Sequence, residues 1–208
     1  GNCIIGDEAC CEASKQEIIR RYYTCLNQYV QGDASEDEVA NIELLMQQAK
    51  ITTDYRAVTQ AAKARAEKAK VPTAAIELAD GTIITSETTP LLGTSAALLL
   101  NATKHLAGID HKVKLIPKEM IEPIQQMKVN LLSGNNPRLH TDEVLVALAM
   151  LSKDDENCKK ALEQLANLKG CQVHTSVMLS EVDRKIFKKL GVDLTCEPVY
   201  KKQKPLIG

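Results

Sequence analysis

The sequence predicts an α/β protein with a helical part over 1–71 and an α/β part over 72–208. Apolar residues recur at helical spacing through the first third of the chain. After Val71 the spacing shortens, and Asp80-Gly81 separates two short runs of the kind that form a β-hairpin. Of the 208 residues, 44% are hydrophobic, which is enough to bury a sizeable core.

Three helices are predicted in the helical part. The first covers about 9–31 and ends at Gly32. Ser35 and Glu38 have the spacing of a capping box, which opens a second helix. The third helix, about 56–69, carries a stripe of alanines, and such small residues permit close packing between helices. We expect an exposed apolar patch on this part, because three thin helices bury one another only partly.

The α/β part alternates predicted strands with predicted helices. The strands are predicted at 74–78, 82–85, 113–116, 171–179 and 192–196. The helices are predicted at 96–106, 117–132, 144–151, 154–168 and 180–190. Pro117 suits the first helical position, Pro123 predicts a kink, and Thr141 is expected to cap the helix that follows it. The final strand–helix–strand order favours a parallel pair of strands.

Composition excludes several classes of function. The formal net charge of −1 argues against a nucleic-acid binder, and the basic cluster at 201–204 is interpreted as a solvated tail. No apolar run reaches the ~18 residues of a membrane span. The seven cysteines form no C-x-x-C pair, and no histidine lies at zinc-ligand spacing. Reduced thiols in the cytoplasm and no metal site are therefore expected, with Cys25, Cys158 and Cys171 buried.

Signatures of the common reaction classes are absent from the sequence. It contains neither glycine-rich phosphate-binding motif, no H-E-x-x-H zinc motif and no G-x-S-x-G nucleophile elbow. No reaction follows from a motif, and the cofactor stays unknown.

The first candidate functional segment is the turn at Gly93, Thr94 and Ser95, which precedes an almost unbroken apolar run. Glycine lets a ligand approach the backbone, and the N–H groups of a helix N-terminus suit a phosphate or carboxylate. The alternative is structural: Thr94 or Ser95 is simply the N-cap of the helix. Under the functional interpretation, all three residues bind the ligand.

The second candidate segment runs from Arg138 to Glu143. Arg138 could bind an anion through its guanidinium, with Thr141 as a further ligand-binding residue. His140 could move a proton, so His140 and Asp142 are the predicted catalytic residues. Alternatively, Asp142 and Glu143 only stabilise the first turn of a helix. Because both candidate segments precede very apolar helices that should lie against one sheet, we expect them to converge.

A third candidate is the pair His174 and Ser176. Alternation along a strand places both on one face. A serine–histidine relay needs a third group that the sequence does not locate, so a structural histidine with satisfied hydrogen bonds is the preferred interpretation.

Four segments resemble an uncharacterised bacterial family known only as a domain of unknown function. They are EASKQEIIRRYY at 12–23, TPLLG at 89–93, NPRLHTDEVL at 136–145 and LTCEP at 194–198. Members of that family are considerably longer, so the chain resembles the C-terminal part of such a protein. The resemblance implies a helical subdomain followed by a three-layer α/β/α subdomain with a mixed sheet, and it implies no activity.

Two functions are compatible with this sequence. The leading hypothesis is an enzyme subdomain of a cytoplasmic protein that binds a small anionic, nucleotide-like ligand. The alternative is a non-catalytic oligomerisation or assembly module, whose helices pack against the missing N-terminal region or against a second copy. Ligand-dependent stabilisation would favour the first, and association without any ligand effect the second.

Overall fold

The computed structural model describes residues 7–200 and contains, in that range, eight α-helices and four β-strands. The helices are α1 (Asp7–Gln31), α2 (Glu36–Gln48), α3 (Ala57–Ala69), α4 (Thr94–Leu106), α5 (Lys118–Gln126), α6 (Thr141–Leu151), α7 (Glu156–Glu163) and α8 (Glu181–Lys189). The strands are β1 (Thr73–Glu77), β2 (Ile83–Glu87), β3 (Gln172–Thr175) and β4 (Asp193–Cys196). Short 3-10 helices span Thr53–Tyr55 and Gln164–Leu168, and a π-helical turn spans Met127–Leu131.

The four strands form one mixed sheet in the order β2-β1-β3-β4. β1 pairs antiparallel with β2 through the predicted turn, where Gly81 has a φ of 81° that favours glycine. β1 also pairs antiparallel with β3, and β3 pairs in parallel with β4 through the crossover helix α8. The predicted hairpin and the predicted parallel pair are both confirmed.

Helices cover both faces of this sheet. Ile76 of β1 belongs to a core shared with Leu98 of α4 and Phe187 of α8. Ala75, which points to the opposite face, packs with Val58 of α3 instead. α1 packs on that second face, against β4. The three-layer arrangement with a mixed sheet is therefore confirmed, and α1 and α3 from the helical part supply one of its outer layers.

A second apolar cluster lies beyond α4, away from the sheet. It joins α4 to α5, α6 and α7, with Leu139, Leu148 and Cys158 among its fully buried members. α6 packs against α4, α7 and α8. Of the two apolar helices expected to lie side by side against the sheet, α4 does so and α6 packs one layer further out.

Local sequence signals explain where several elements begin. Ser35 Oγ accepts a hydrogen bond from Glu38 N at 3.3 Å, and Ser35 N donates to Glu38 Oε2 at 2.7 Å, which confirms the predicted capping box of α2. Asp155 and Ser180 cap α7 and α8 in the same manner, with side-chain oxygens that accept first-turn N–H groups.

The strand prediction at 113–116 is wrong. The segment is irregular and pairs with no strand, although Leu115 and Ile116 are buried. Their burial is in the second apolar cluster, so these residues anchor a loop rather than extend the sheet. A side chain, rather than a neighbouring strand, supplies one hydrogen bond to the backbone of this segment. Lys104 Nζ donates to Val113 O at 3.1 Å.

Other boundaries differ by smaller amounts. The strand predicted at 171–179 is only Gln172–Thr175, because it pairs over no more than these residues with β1 and β4. Pro117 is the N-cap of α5 rather than its first helical residue, and Met127–Leu131 is a π-helical turn rather than more α-helix.

The six cysteines in the described part of the chain are free thiols. Cys25, Cys158 and Cys171 are buried as predicted, and Cys196 is buried as well. Burial raises the pKa of each of these four thiols, so they behave as small apolar side chains. The predictions for Cys3 and for the basic cluster at 201–204 fall outside residues 7–200.

Candidate functional site

The two candidate segments meet in space, as the sequence predicted. Leu92 and Leu139 form an isolated parallel bridge. Leu139 N donates to Leu91 O at 3.0 Å, and Gly93 N donates to Leu139 O at 3.1 Å. Two short stretches of backbone thus run side by side, and each one enters a helix within two residues. The N-termini of α4 and α6 consequently lie next to each other.

These helix starts lie at one edge of the sheet. β2, β3 and β4 point in the same direction, because β1 is antiparallel to both β2 and β3. Their carboxyl ends, at Glu87, Thr175 and Cys196, therefore share an edge. α4 follows β2 and α8 follows β3, so both helices begin on this side. Ligands of open α/β sheets commonly bind outside the carboxyl ends of strands.

α4 begins without a side-chain cap. Its N-cap is Gly93, and no side chain accepts a hydrogen bond from its first turn among residues 7–200. Thr94 and Ser95 are buried inside the first turn. The Thr94 hydroxyl lies 3.1 Å from Ser86 Oγ of β2, so it contacts the sheet. The alternative interpretation that Thr94 or Ser95 is the N-cap is therefore wrong.

Arg138 fixes the loop that leads to α4. Its Nε donates to Thr89 O at 2.8 Å, and its backbone N–H donates to Asn136 Oδ1 at 3.2 Å. Lys128 Nζ donates both to Arg138 O and to Glu143 Oε2, each at 2.7 Å. The two terminal nitrogens of the Arg138 guanidinium form no hydrogen bond or ion pair with any described residue. Arg138 therefore places an available cationic group beside the 89–93 loop.

The start of α6 is capped by carboxylates from two directions. His140, not Thr141, is the N-cap, and its backbone N–H donates to Glu143 Oε2 at 2.7 Å. Thr141 donates through its backbone N–H and its Oγ1 to Asp183 Oδ1, at 3.0 and 2.9 Å. The prediction that Thr141 caps the helix by its side chain is wrong, because its hydroxyl bonds to α8 instead.

His140, Asp183 and Ser180 form a compact hydrogen-bonded group. His140 Nδ1 lies 3.1 Å from Asp183 Oδ2, and Ser180 Oγ donates to the same carboxylate oxygen at 2.8 Å. A carboxylate only accepts, which assigns the imidazole proton to Nδ1. Nε2 is then the unprotonated nitrogen, 3.3 Å from Asn136 Nδ2. Ser180 directs its proton to Asp183, so this trio is not arranged as a serine–histidine nucleophile relay.

The Asp183 carboxyl is held ionised. Burial alone would raise its pKa, but hydrogen bonds from His140, Thr141 and Ser180 outweigh burial and lower the pKa to about 2. The side chain of Asp183 is 5% exposed and that of His140 is 25% exposed. The arrangement joins a buried anion to a partly accessible imidazole.

Sequence reasoning found His140 and Asp142 but missed Ser180 and Asp183. A signal was present, because Ser180-x-x-Asp183 has the spacing of a capping pattern ahead of a helix. Nothing in that pattern indicates that the carboxylate also bonds to another helix. Asp142 does not join the trio; its Oδ1 is buried and has no hydrogen-bond partner within residues 7–200.

His174 lies elsewhere, on the face of the sheet covered by α1 and α3. Its Nδ1 is 2.9 Å from Thr195 Oγ1, and its Nε2 is 3.1 Å from Glu197 Oε1. Ser176 instead accepts a hydrogen bond from Thr73 N at 2.8 Å, in contact with the first residue of β1. The preferred interpretation of His174 as a satisfied structural histidine is confirmed.

A search for metal sites among the described residues finds no group of three or more histidine, cysteine, aspartate or glutamate side chains. Of the helices between residues 7 and 200, none combines the length and the apolar character that crossing a bilayer requires.

A mixed α/β sheet with helix N-termini gathered at its carboxyl edge defines the structural class, and comparison with sequence families adds the family. The N-terminal domain of unknown function DUF1846 matches residues 1–50, and the C-terminal domain of unknown function DUF1846 matches residues 54–205. The chain belongs to the DUF1846 family. The expected resemblance is thus confirmed, with one correction. Both domains match, so the chain is not the C-terminal part alone, and a missing N-terminal region is not supported as a partner.

Named relatives agree with this assignment. A UPF0371 protein of Corynebacterium urealyticum is 49% identical over 200 residues, which are 96% of this chain and 40% of that protein. A UPF0371 protein of Streptococcus pyogenes serotype M5 is 45% identical over 204 residues, which are 98% of this chain and 41% of that protein. The chain spans about two fifths of the length of these curated relatives, whose names state no activity.

Proposed function

We propose that the edge formed by α4, α6 and the 89–93 loop binds a small anion, a phosphate or a carboxylate, within an enzyme subdomain. The observation that carries the proposal is the contrast between neighbouring helix starts. α6 and α8 are capped by Asp183 and Ser180, whereas α4 begins at Gly93 with no side-chain cap. The positive end of a helix dipole and its first N–H groups favour an anion at that place.

Arg138 supplies the charge for this anion. Its Nε is anchored on Thr89 O, and its two terminal nitrogens are available for a bidentate contact. Gly93 adds no side chain between the ligand and the backbone of α4, and Thr94 and Ser95 contribute backbone N–H groups of the first turn. The expectation that Thr141 binds the ligand is wrong, because its N–H and its Oγ1 both donate to Asp183. A phosphate of a nucleotide-like ligand has the charge and the shape that such a site recognises.

His140 and Asp142 remain the proposed catalytic residues. With Nδ1 bound to Asp183, the basic nitrogen of His140 is Nε2, and a proton taken up there is stabilised by the buried carboxylate. The partner-free Oδ1 of Asp142 is an acceptor that a ligand hydroxyl or water would satisfy.

Phosphate binding tests this proposal directly. We expect inorganic phosphate to raise the thermal unfolding temperature, because a ligand of the native state stabilises it by about 2.7 kcal/mol at 100 times Kd. Arg138→Gln should weaken the phosphate affinity about tenfold, the effect of losing one charge-assisted contact. Calorimetric titration measures the affinity, and Arg184→Gln, on the exposed side of α8, is the matched control.

Two results would contradict the phosphate site. One is equal stabilisation of wild type and Arg138→Gln, and the other is no stabilisation at all. Unfolding without phosphate separates a loss of binding from a loss of folding. Arg138→Lys, which keeps the positive charge but lacks the planar fork, should give an intermediate affinity.

Association with a second copy is the alternative function, and exposed apolar side chains favour it. Tyr29, Val30, Leu44 and Leu45, at the end of α1 and on α2, are 41–52% exposed. We propose that these helices form the contact of a homo-oligomer of a cytoplasmic protein. Light scattering should show concentration-dependent association that Leu45→Glu abolishes and Lys68→Glu on α3 does not. A strictly monomeric protein at high concentration would refute this alternative.

A further inference from the structure

A groove of about 810 Å³ runs along α4, and His140 is not among its lining residues. Its walls are the free edge of β2, the 89–92 loop and the irregular segment 111–118. Its size is that of pockets that hold small organic ligands. The groove shares α4 and Thr89, Pro90, Leu91 and Leu92 of the loop with the proposed anion-binding edge, but neither Gly93 nor Arg138 nor any residue of α6 is among its lining residues.

The groove has an apolar end. Ala97 and Leu100 of α4 lie on its floor, next to Leu91 and Leu92 of the loop, and Ile121 of α5 closes that end. Leu100 and Ile121 belong to the second apolar cluster, and Leu91 and Leu92 pack against it, so the positions of these four side chains are fixed by packing. An apolar group bound here would be removed from water, which is favourable.

The other end of the groove is cationic. At this end the lining includes Lys104, Lys112 and Lys114, since Lys104 holds the 111–113 backbone. Arg65, Glu87 and Lys118 also line the groove, but Glu87 follows Ser86, which contacts Thr94 at the start of α4, and Lys118 lies one turn from Ile121. Glu87 is neutralised by Arg65 at 2.9 Å, and Lys118 pairs with Glu122 at 2.9 Å. Lys104, Lys112 and Lys114 form no ion pair within the described residues. The groove therefore has an unbalanced positive charge at this end.

Lys104 is the most constrained of these cations. Its Nζ donates to His111 O at 2.8 Å and to Val113 O at 3.1 Å, which leaves one N–H for a further acceptor. The side chain is half-buried, and burial lowers its pKa although Asp110 opposes that effect. Asp110 itself accepts from Lys112 N at 2.8 Å and makes no ion pair with Lys104. Lys104 is thus a positioned cation with no carboxylate partner among residues 7–200.

Helical geometry orders these two ends along one line. Leu100 and Asn101 follow Ala97 by three and four residues and precede Lys104 by four and three, so all four lie along one face of α4. Ala97 and Lys104 are separated by about 10 Å along the helix axis at 1.5 Å per residue. The groove consequently has a direction, from an apolar floor to a fixed ammonium group.

We propose that this groove binds an elongated amphipathic anion, with its apolar body on Ala97 and Leu100 and its carboxylate or phosphate at Lys104. This site is distinct from the proposed phosphate site at Arg138, although the two share the 89–92 loop. Neither Gly93 nor Arg138 lines the groove, and no charged residue of the groove touches His140.

Calorimetric titration with sodium decanoate, below its micelle concentration, tests the proposal on the chain as it exists. We expect decanoate to bind with a stoichiometry of about one, since one groove is available, and at least about tenfold more tightly than acetate or decyltrimethylammonium. Acetate carries the charge without the chain, and decyltrimethylammonium carries the chain with the opposite charge. Equal binding of decanoate and decyltrimethylammonium would overturn the proposal, as would no binding of decanoate.

Variants locate the bound ligand. Lys104→Met should weaken decanoate about tenfold, and Lys112→Glu, which alters an exposed side chain with little risk to folding, should weaken it several-fold. Lys159→Gln on the exposed side of α7 is the control and should change nothing. If decanoate binds all four proteins equally, it binds elsewhere and the proposal fails. Lys104→Met should leave phosphate binding unchanged, because Lys104 is not part of the proposed phosphate site, and this keeps the result separate from the phosphate test.

An anionic group on an apolar chain, a carboxylate or a phosphate, is shared by free amphiphiles and membrane lipids. Sedimentation with phosphatidylglycerol vesicles separates the two sources. A free ligand predicts decanoate binding without sedimentation, and a lipid source predicts sedimentation that Lys104→Met abolishes. Sedimentation that Lys104→Met leaves unchanged, combined with unchanged decanoate binding, would refute the site.

Discussion

Two histidines of this protein each contact a carboxylate, but one ring is buried and the other is partly exposed. His140 and His174 each lie 3.1 Å from a carboxylate, Asp183 and Glu197. The side chain of His174 is 0% exposed, whereas that of His140 is 25% exposed. The contact with a carboxylate alone therefore does not distinguish a candidate functional histidine from a structural one. The exposure and the neighbours of each ring make that distinction.

Neighbouring side chains completely enclose the ring of His174. Tyr23 packs against the ring at 4.8 Å between centroids, and Tyr23 OH donates to Glu197 Oε1 at 2.9 Å. Lys63 Nζ reaches the same oxygen at 3.0 Å. Burial raises the pKa of Glu197, but His174 and Lys63 outweigh it and lower the pKa to about 2. His174 thus joins α1, α3 and the sheet, with no access for a ligand.

The largest loss of unfolding free energy is expected for His174→Ala. The substitution leaves a cavity and removes the partner of Glu197 and Thr195, so it should cost about 3–4 kcal/mol of unfolding free energy. Urea unfolding at pH 7 measures the loss. His111→Ala, whose side chain is 86% exposed, is the control and should change stability by less than about 0.5 kcal/mol.

The pH dependence of that stability gives a second readout. Burial lowers the pKa of His174, although Glu197 opposes the shift. The unfolded chain therefore takes up a proton near pH ~6.5 that the native state refuses, and wild-type stability falls as the pH drops through that value. His174→Ala should lack this component. An unchanged pH profile would show that His174 is not the buried neutral group described above.

The second-largest loss of unfolding free energy is expected for Asp183→Asn. The variant loses the charge that caps α6 and holds His140, at a cost of about 2 kcal/mol at pH 7. Because the folded pKa of Asp183 is depressed to about 2, its contribution is complete above pH ~4 and is lost as the pH falls towards 2. The difference of about 2 kcal/mol between wild type and variant should shrink towards zero over this interval. Circular dichroism during acid and urea titration checks the sign, and a constant difference would contradict it.

The smallest stability effect is expected for His140→Gln. The ring is partly exposed and glutamine keeps a donor for Asp183, so the loss should be about 1 kcal/mol. Urea unfolding measures this loss, with His174→Ala measured under the same conditions for comparison. If both variants cost the same, His140 is a packing residue like His174, and the proposed role in proton transfer loses its basis.

Much of the fold was predictable from local signals. The hairpin at Gly81 and the capping box at Ser35 and Glu38 follow from turn chemistry and hydrogen-bond satisfaction within a few residues. The parallel pair around α8 follows from the order strand–helix–strand along the chain. The segment 113–116 has the apolar composition of a strand but no neighbouring strand, and composition cannot reveal that absence.

The candidate site was predictable only in part, because some of its contacts join residues that are far apart in the sequence. The sequence by itself determined which residues can serve at the helix starts, including Gly93, Arg138 and His140, because glycine, guanidinium and imidazole chemistry is local. Tertiary structure decided that Asp183 caps α6 and that His174 is buried. It also left α4 without a cap. Hydrogen bonds between residues more than 40 positions apart, such as that from Thr141 to Asp183, depend on how helices pack. Packing is a property of the whole core rather than of any segment.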